Sequence, residues 1–154
     1  MVQVEARIKE LGLELPQAPD PIANYVGAVR TGNLVFLSGR GPRKDGRFVS
    51  SGKLGQDVTI EEGYEAARLT MLNLLASLKA EIGDLDRVRR IVKLLGIVNS
   101  DPAFTDQPQV INGASDLLVS IFGDRGRHAR AAFGAVSLPM GTSVEIEMIV
   151  EVEG

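Results

Sequence analysis

The last segment of the chain has the clearest pattern of apolar and polar positions. Between residues 143 and 153, apolar residues occupy every second position and carboxylates fill most of the others. The apolar set is Val144, Ile146, Met148, Val150 and Val152. Strict alternation over this length predicts a β-strand with one buried face. We therefore expect the strand to border the core on one side and to present an acidic row on the other.

Two further segments have apolar residues at steps of three and four, which is typical of a helix with one buried face. The longer runs from Ile60 to Ile82 and the shorter from about Gln107 to Phe122. Thr59 precedes the longer segment as a capping residue, and Gly83 follows it as a helix terminator. Both segments are predicted to be helices of the core.

The first 21 residues read as a unit of their own. Residues 2–13 fit a short amphipathic helix, and prolines at positions 16, 19 and 21 require an extended, non-helical chain after it. We therefore expect residues 1–21 to form an N-terminal helix with a proline-rich tether. Residues 22–154 are expected to form a single domain.

The remaining apolar runs predict strands. Residues 25–29 and 34–37 flank Gly32-Asn33, a tight-turn signal, and so read as a hairpin. The run 34–37 is apolar without alternation, which indicates a strand covered on both faces. Residues 38–42 are expected to turn the chain, and residues 44–47 to form another tight turn. Residues 90–98 read as a central strand.

Residues 126–154 are interpreted as two strands joined by a turn at Leu138-Pro139. With the elements above, this predicts an α+β domain in which both core helices pack on one face of a mixed sheet. The opposite face must then meet solvent or another subunit.

Composition narrows the classes of function. A chain of 154 residues is long enough for one conventional core, burying roughly two-thirds of its unfolded surface. The net charge of −3 argues against binding mainly through phosphate contacts. The absence of cysteine excludes thiolate chemistry, and one histidine excludes a multi-histidine metal site within one chain. For these reasons we expect no metal. The sequence also has no apolar run of membrane-spanning length, so we expect a soluble, cytoplasmic protein.

Arg130 is the first candidate functional residue. It lies among small residues, Ala129, Ala131 and Ala132, which leave room for a small ligand. Its guanidinium group matches a carboxylate with two parallel hydrogen bonds. The alternative is that Arg130 is an ordinary solvent-facing strand residue.

Glu145 is the second candidate. If the Leu138-Pro139 segment closes a hairpin, Arg130 and Glu145 approach each other, and a carboxylate there could position or deprotonate a water. The alternative is that Glu145 belongs to a solvated acidic row. Tyr25 could cover a small ligand or be a half-buried strand residue, and Asn112 could be a polar contact inside the second core helix.

Other chemical motifs are weaker. Arg125, Arg127, His128 and Arg130 could attract phosphate, and Gly39 begins a short glycine-containing loop. The loop lacks the spacing and the Lys-Ser/Thr ending of a phosphate-binding loop. A Ser-His-Asp triad would have to use His128, and nothing in the neighbouring sequence places a serine or aspartate beside it.

The sequence resembles the reactive intermediate deaminase (YjgF) family, also called the endoribonuclease L-PSP family. The resemblance is carried by residues 129–133 (Ala-Arg-Ala-Ala-Phe), Leu138-Pro139 and residues 144–147 (Val-Glu-Ile-Glu). Tyr25-Val26, Gly32-Asn33, residues 37–39 and Asn112 add support, and the likeness covers roughly residues 22–152.

This resemblance implies a chorismate-mutase-like fold in which a sheet is backed by two helices. It also implies a homotrimeric barrel with sites in the clefts between subunits. The implied activity is hydrolysis of enamines and imines such as 2-aminoacrylate to a 2-keto acid and ammonia, without metal or organic cofactor.

The resemblance also implies roles for individual residues. Arg130 would clamp the substrate carboxylate, and Glu145 would hold or activate a water. The matching pocket positions are Tyr25, Ser38, Gly39, Asn112 and, through its backbone, Ala132.

Two alternatives stay open. An RNA-directed activity, endoribonuclease or translation inhibitor, is disfavoured by the negative charge and by only five Phe and two Tyr for base stacking. The other alternative is a trimer that senses a keto acid without turnover.

Overall fold

The computed structural model describes residues 3–18, 20 and 23–154. Within these residues, the α-helices are α1 (Val4–Glu10), α2 (Ile60–Ile82) and α3 (Gln107–Phe122). The strands, in chain order, are β1 (Ala28–Thr31), β2 (Leu34–Arg40), β3 (Arg43–Lys44), β4 (Arg47–Phe48), β5 (Val88–Asn99), β6 (Ala129–Ala135) and β7 (Val144–Val152). Short 3-10 turns span Leu85–Arg87, Gly123–Gly126 and Pro139–Gly141.

The main sheet has the strand order β1-β2-β7-β5-β6. Strands β5 and β6 are parallel, and all other neighbours in this sheet are antiparallel. The helices α2 and α3 pack against each other and against the buried side of the sheet. The predicted α+β architecture, a mixed sheet with helices on one face, is therefore confirmed.

The elements with strong periodicity form as predicted. Strand β7 alternates, with Val144, Ile146 and Met148 buried and Glu147 exposed. Helix α2 begins after Thr59, whose hydroxyl accepts a hydrogen bond from the Glu62 amide at 3.1 Å. It ends at Gly83, which has a φ of 86°. Helix α3 has the predicted bounds.

The predicted hairpin between the last two strands is wrong. In the part of the chain that the structure describes, strand β6 pairs only with β5, and β5 separates it from β7. Helix α3 is a crossover that returns the chain parallel to β5, so β6 forms the edge of the sheet. The Leu138-Pro139 segment leads into a 3-10 turn rather than a two-residue hairpin turn. The chain then returns on the other side of β5.

The prediction of a turn at residues 38–42 is also wrong in part. Strand β2 continues to Arg40, with a shift in its pairing to β7 between Leu37 and Arg40 that marks a β-bulge. The same strand is not covered on both faces within one chain, because Val35 and Leu37 are buried while Phe36 is 41% exposed. The preceding strand begins at Ala28 rather than at Tyr25.

Two tight turns form where the sequence places them. Gly32 and Asn33 join β1 to β2, and the β3–β4 hairpin turns at Asp45 and Gly46, both with positive φ. The latter geometry suits a two-residue hairpin turn.

Helix α1 packs on the helical layer of its own chain. Val4 and Ile8 are buried in the common core, and the Arg7 Nε donates to the carbonyl of Ser120 at 3.0 Å. The Val4 amide donates to Asp86 Oδ1 at 2.6 Å. The observed helix is shorter than the predicted 2–13, and residues 1, 2, 19, 21 and 22 lie outside the described part of the chain.

Gly113 allows α2 and α3 to approach at the level of their backbones. A Cβ atom at this position would lie 2.0 Å from the carbonyl oxygen of Tyr64 in α2. Backbone atoms cannot move aside as a flexible side chain does, so an added methyl group forces the two helices apart. The position of α3 over the sheet therefore depends on this glycine.

We predict that Gly113→Ala lowers the free energy of unfolding by about 1–3 kcal/mol or more. In a helix with open space, the same change would stabilise by about 0.5–1 kcal/mol, so the sign of the effect is diagnostic. Urea unfolding at a fixed protein concentration measures it. Ser120→Ala, an exposed change in the same helix, is the matched control. A stabilised Gly113→Ala protein would contradict the close contact.

Candidate functional site

Arg130 lies on the edge strand β6 and reaches α3. Its strand partner is Leu94, a fully buried residue on the helical side of the sheet. The Nη1 atom of Arg130 donates to Asn112 Oδ1 at 2.8 Å and to Ser115 Oγ at 3.1 Å. The Nη2 atom makes a longer contact, 3.4 Å, to the carbonyl of Pro108. The guanidinium group is therefore held by one face of α3.

These contacts leave one edge of the guanidinium group available. Nε and one Nη2 hydrogen have no hydrogen-bond acceptor among the described residues, and no carboxylate in that part of the chain forms an ion pair with Arg130. Nε and Nη2 together form the side-on edge that accepts a carboxylate with two parallel hydrogen bonds. Arg130 is thus oriented by neutral partners and keeps its anion-binding edge.

Ala132 follows Arg130 on the same side of β6. It pairs with Gly96 of β5 and packs against the core while remaining partly exposed. Arg130, Asn112 and Ala132 thus form one group at the β6 edge, which we call the arginine group.

A second group lies at the bulged end of β2. The hydroxyl of Ser38 donates to the carbonyl of Val26 at 2.6 Å, which joins it to the segment that contains Tyr25. Tyr25 is 40% exposed. Burial lowers the pKa of Arg40, and the Tyr25 hydroxyl partly offsets this shift, which indicates that Tyr25 lies near Arg40. The bulge therefore brings Tyr25, Ser38 and Gly39 to one end of the sheet.

Glu145 completes this second group. A Cβ atom at Gly39 would lie 3.1 Å from the carboxyl carbon of Glu145, so the carboxyl group rests against the Gly39 backbone. Burial raises the pKa of Glu145, and the neighbouring Glu147 carboxylate adds to the rise. Such a carboxyl group is better suited to exchange a proton near neutral pH than an ordinary one. We call Tyr25, Ser38, Gly39 and Glu145 the glutamate group.

The structure does not bring Arg130 and Glu145 together within one chain. Arg130 points to the helical side of the sheet, whereas Glu145 alternates with buried Val144 and Ile146 and so points to the opposite face. Strand β5 also lies between their strands. The expectation that the two side chains meet across a hairpin is wrong for this reason.

The face that carries Glu145 is open and largely apolar. Side chains from four strands line a depression of ≈ 380 Å³ on it, including Val29, Phe36, Leu95 and Ile149. Val29 is 54% exposed and Phe36 is 41% exposed. Exposed apolar surface of this kind, rimmed by charges, is typical of a protein interface.

Ser115 is the residue at the site that sequence reasoning missed. His128 Nε2 lies 2.8 Å from Ser115 Oγ, and Ser115 in turn accepts from Arg130. A serine does therefore lie beside the histidine. The available signal was that Ser115 follows Asn112 by three positions, so that both share one face of α3.

The other sequence candidates do not assemble. Arg125 donates to the carbonyl of Val88 at 2.6 Å, while Arg127 pairs with Asp124 on the surface, so the basic cluster is divided. Among the residues described, no group of three or more His, Asp or Glu side chains is arranged to hold a metal ion. None of the helices in the described ranges is both long and apolar enough to span a membrane.

Comparison with known proteins identifies a matching family model and several relatives of this chain. A family model described as "YjgF/chorismate mutase-like, putative endoribonuclease" matches residues 5–152. Protein TCP17 of Trypanosoma cruzi is 46% identical over 150 residues, covering 97% of this chain and 94% of that protein. The 2-iminobutanoate/2-iminopropanoate deaminase of Dermatophagoides farinae is 28% identical over 141 residues, covering 92% of this chain and 95% of that protein.

A solved structure from Shewanella oneidensis MR-1, described as "a putative endoribonuclease", has a TM-score of 0.95 and 35% identity to this chain. The match covers 97% of this chain and 99% of that one. The chain therefore belongs to the YjgF/chorismate mutase-like family, which confirms the family resemblance and the fold inferred from the sequence.

We predict that the raised pKa of Glu145 makes stability depend on pH. The folded chain binds this proton more tightly than the unfolded chain, so stability falls as pH rises from the ordinary value of 4.5 through the raised value. Glu145→Gln cannot titrate and should lose less free energy of unfolding over the same interval. Urea unfolding between about pH 4 and pH 8 compares the two proteins.

Glu147→Gln is the matched control for this experiment, since it removes only the smaller, electrostatic cause. Its slope should lie between those of the wild type and Glu145→Gln. Parallel pH profiles for the wild type and Glu145→Gln would contradict the raised pKa.

Proposed function

We propose that this protein hydrolyses reactive imines and enamines that carry a carboxylate, of the 2-aminoacrylate type, to a 2-keto acid and ammonia. The observation that carries the proposal is the side-on edge of Arg130, whose Nε has no acceptor among the described residues and which Asn112 and Ser115 hold in place. This edge fits a small carboxylate and needs no metal. The deaminase of Dermatophagoides farinae among the relatives supports the same reaction class.

The reaction needs a fixed substrate and a base. Arg130 binds the substrate carboxylate and so places the imine carbon, while Glu145 takes a proton from water as the water oxygen bonds to that carbon. The proton passes to nitrogen, which gives a carbinolamine. A second proton then moves from the carbinolamine hydroxyl group to nitrogen as the carbon–nitrogen bond breaks, and ammonia leaves with the 2-keto acid. An enamine enters this sequence as its imine tautomer. Positioning of this kind can lower a barrier by several kcal/mol.

We further propose that the site forms between copies of the chain in a homotrimer. One copy would supply the arginine group and its neighbour the glutamate group, with Tyr25 and Ser38 lining the cleft. Two observations support this arrangement. The groups lie on opposite faces within one chain, and the face bearing Glu145 has the exposed apolar surface that a second copy could cover.

An RNA-directed activity is the second candidate, because the family description names an endoribonuclease. The net charge of −3 and the absence of tryptophan give little support for binding a phosphate backbone or stacking bases. Binding of a keto acid without turnover is the third candidate, and retention of Glu145 beside Gly39 favours catalysis over it.

We predict that Arg130→Ala reduces hydrolysis of 2-aminoacrylate at least about tenfold, because a charged bidentate contact is worth roughly 1.5–3 kcal/mol. The intermediate is generated with a serine dehydratase, and its loss is followed with and without the purified protein. Arg130→Lys keeps the charge without the planar fork and should retain part of the activity.

Arg127→Ala is the matched control, because it removes an exposed cation that forms a surface ion pair with Asp124. It should leave the rate unchanged. Wild-type protein that does not accelerate loss of 2-aminoacrylate or of related imines would contradict the deaminase proposal, and binding without turnover would then favour the sensing role.

We also predict that two inactive variants complement each other. In mixed assemblies of Arg130→Ala and Glu145→Gln, some interfaces combine an unaltered Arg130 with an unaltered Glu145 from the next copy. Random mixing of equal amounts should restore about a quarter of the wild-type activity. Refolding the variants together and separately provides the comparison. A mixture as inactive as the separate variants would place the whole site within one chain.

A further inference from the structure

A continuous chain of hydrogen bonds runs from a backbone carbonyl to Arg130. His128 Nδ1 lies 2.6 Å from the Gly126 carbonyl oxygen, and His128 Nε2 lies 2.8 Å from Ser115 Oγ. Ser115 Oγ then lies 3.1 Å from Arg130 Nη1. These hydrogen bonds join β6 to α3 and end at Nη1, on the side of the guanidinium group that faces away from the Nε–Nη2 edge.

When the His128 ring is neutral, the chemistry of the two ends fixes the direction of every bond. A carbonyl oxygen only accepts, so His128 carries its hydrogen on Nδ1 and donates to Gly126. Nε2 of the neutral ring is then an acceptor, and the Ser115 hydroxyl donates to it. Arg130 only donates, and Ser115 Oγ accepts from it. In this assignment, each hydrogen bond has one donor and one acceptor.

A serine beside a histidine also suggests a nucleophile, but the surroundings favour a different role. Ser115 Oγ is occupied by two partners, and Nδ1 of His128 donates to a carbonyl oxygen rather than to a carboxylate. The donor from Arg130 lowers the electron density on Oγ. These contacts suit a hydroxyl group that links His128 to Arg130 and holds the guanidinium group in one orientation.

We propose that His128 is a positioning residue, which acts through Ser115 to set the orientation of Arg130 and thereby its affinity for a carboxylate. The inference deepens the proposed function and rests on it in assigning the carboxylate to Arg130. His128 reaches Arg130 through the hydroxyl of Ser115. Its effect depends on Nε2 as an acceptor and on the hydroxyl of Ser115.

The first test measures the affinity for pyruvate, the product expected from 2-aminoacrylate, by titration calorimetry on the full chain. His128→Phe keeps a ring without the acceptor, and Ser115→Ala removes the connecting hydroxyl. Each should weaken pyruvate binding about three- to tenfold, the range of one hydrogen bond. The double variant should be no weaker than either single variant, because both changes break the same chain.

Two matched substitutions separate positioning from packing. His128→Gln places an amide oxygen near the position of Nε2 and should restore most of the affinity. His128→Asn can reach only the Gly126 carbonyl and should not. Pyruvamide, which lacks the carboxylate, should bind the wild type and His128→Phe equally.

The single histidine of the chain allows a direct spectroscopic test. Long-range ¹H–¹⁵N spectra should show hydrogen on Nδ1 in the neutral ring, and pyruvate should shift the ring signals in the wild type but not in Ser115→Ala. Hydrogen on Nε2, additive losses in the double variant, or unchanged affinity in His128→Phe would overturn the proposal.

These readouts do not require turnover. If imines are not hydrolysed but pyruvate binding shows the expected coupling, the positioning role stands and the deaminase proposal fails. If imines are hydrolysed and the coupling is absent, only the positioning role fails. A wild-type protein that does not bind pyruvate would overturn this inference together with the assignment of the carboxylate to Arg130.

Discussion

The packing of α3 against the sheet and against α2 is the interaction on which the candidate site depends. Two glycines allow it: Gly113 meets the backbone of α2, and Gly96 lies beneath Ile111, whose side chain would be 2.7 Å from a Cβ there. Because α3 is seated this closely, Asn112 and Ser115 project over the β6 edge and reach Arg130. The orientation of one arginine therefore follows from backbone contacts elsewhere in α3.

Local patterns were enough to predict most elements but not their neighbours in the sheet. The bounds of α3 and the alternation of β7 follow from periodicity within each segment. The hairpin between β6 and β7 was wrong because pairing is decided by the crossover through α3, which short-range pattern does not report. The bulge after Leu37 was read as a turn, since Ser38 and Gly39 are typical of both. Whether the candidate residues act as proposed stays a prediction.

The contact between Ser115 and His128 also could not be predicted from local sequence patterns. The two residues are 13 positions apart, with Ser115 in α3 and His128 just before β6. The sequence showed a histidine without a serine beside it, and only the parallel return of β6 beneath α3 brings the two together. Asn112 was anticipated through the family motif, yet its partner Ser115 on the same helical face was not, because the motif marks positions rather than contacts.

The division of the site between two faces also bears on the proton chemistry. Glu145 is half-buried in the single chain, and burial already raises its pKa. A second copy placed over the open face would remove more water from this carboxyl group and raise its pKa further, unless it brought a cation close. Arg130 of that copy is a cation whose charge a bound substrate carboxylate would offset. In the proposed arrangement, assembly and substrate binding would thus act together on the proton affinity of Glu145.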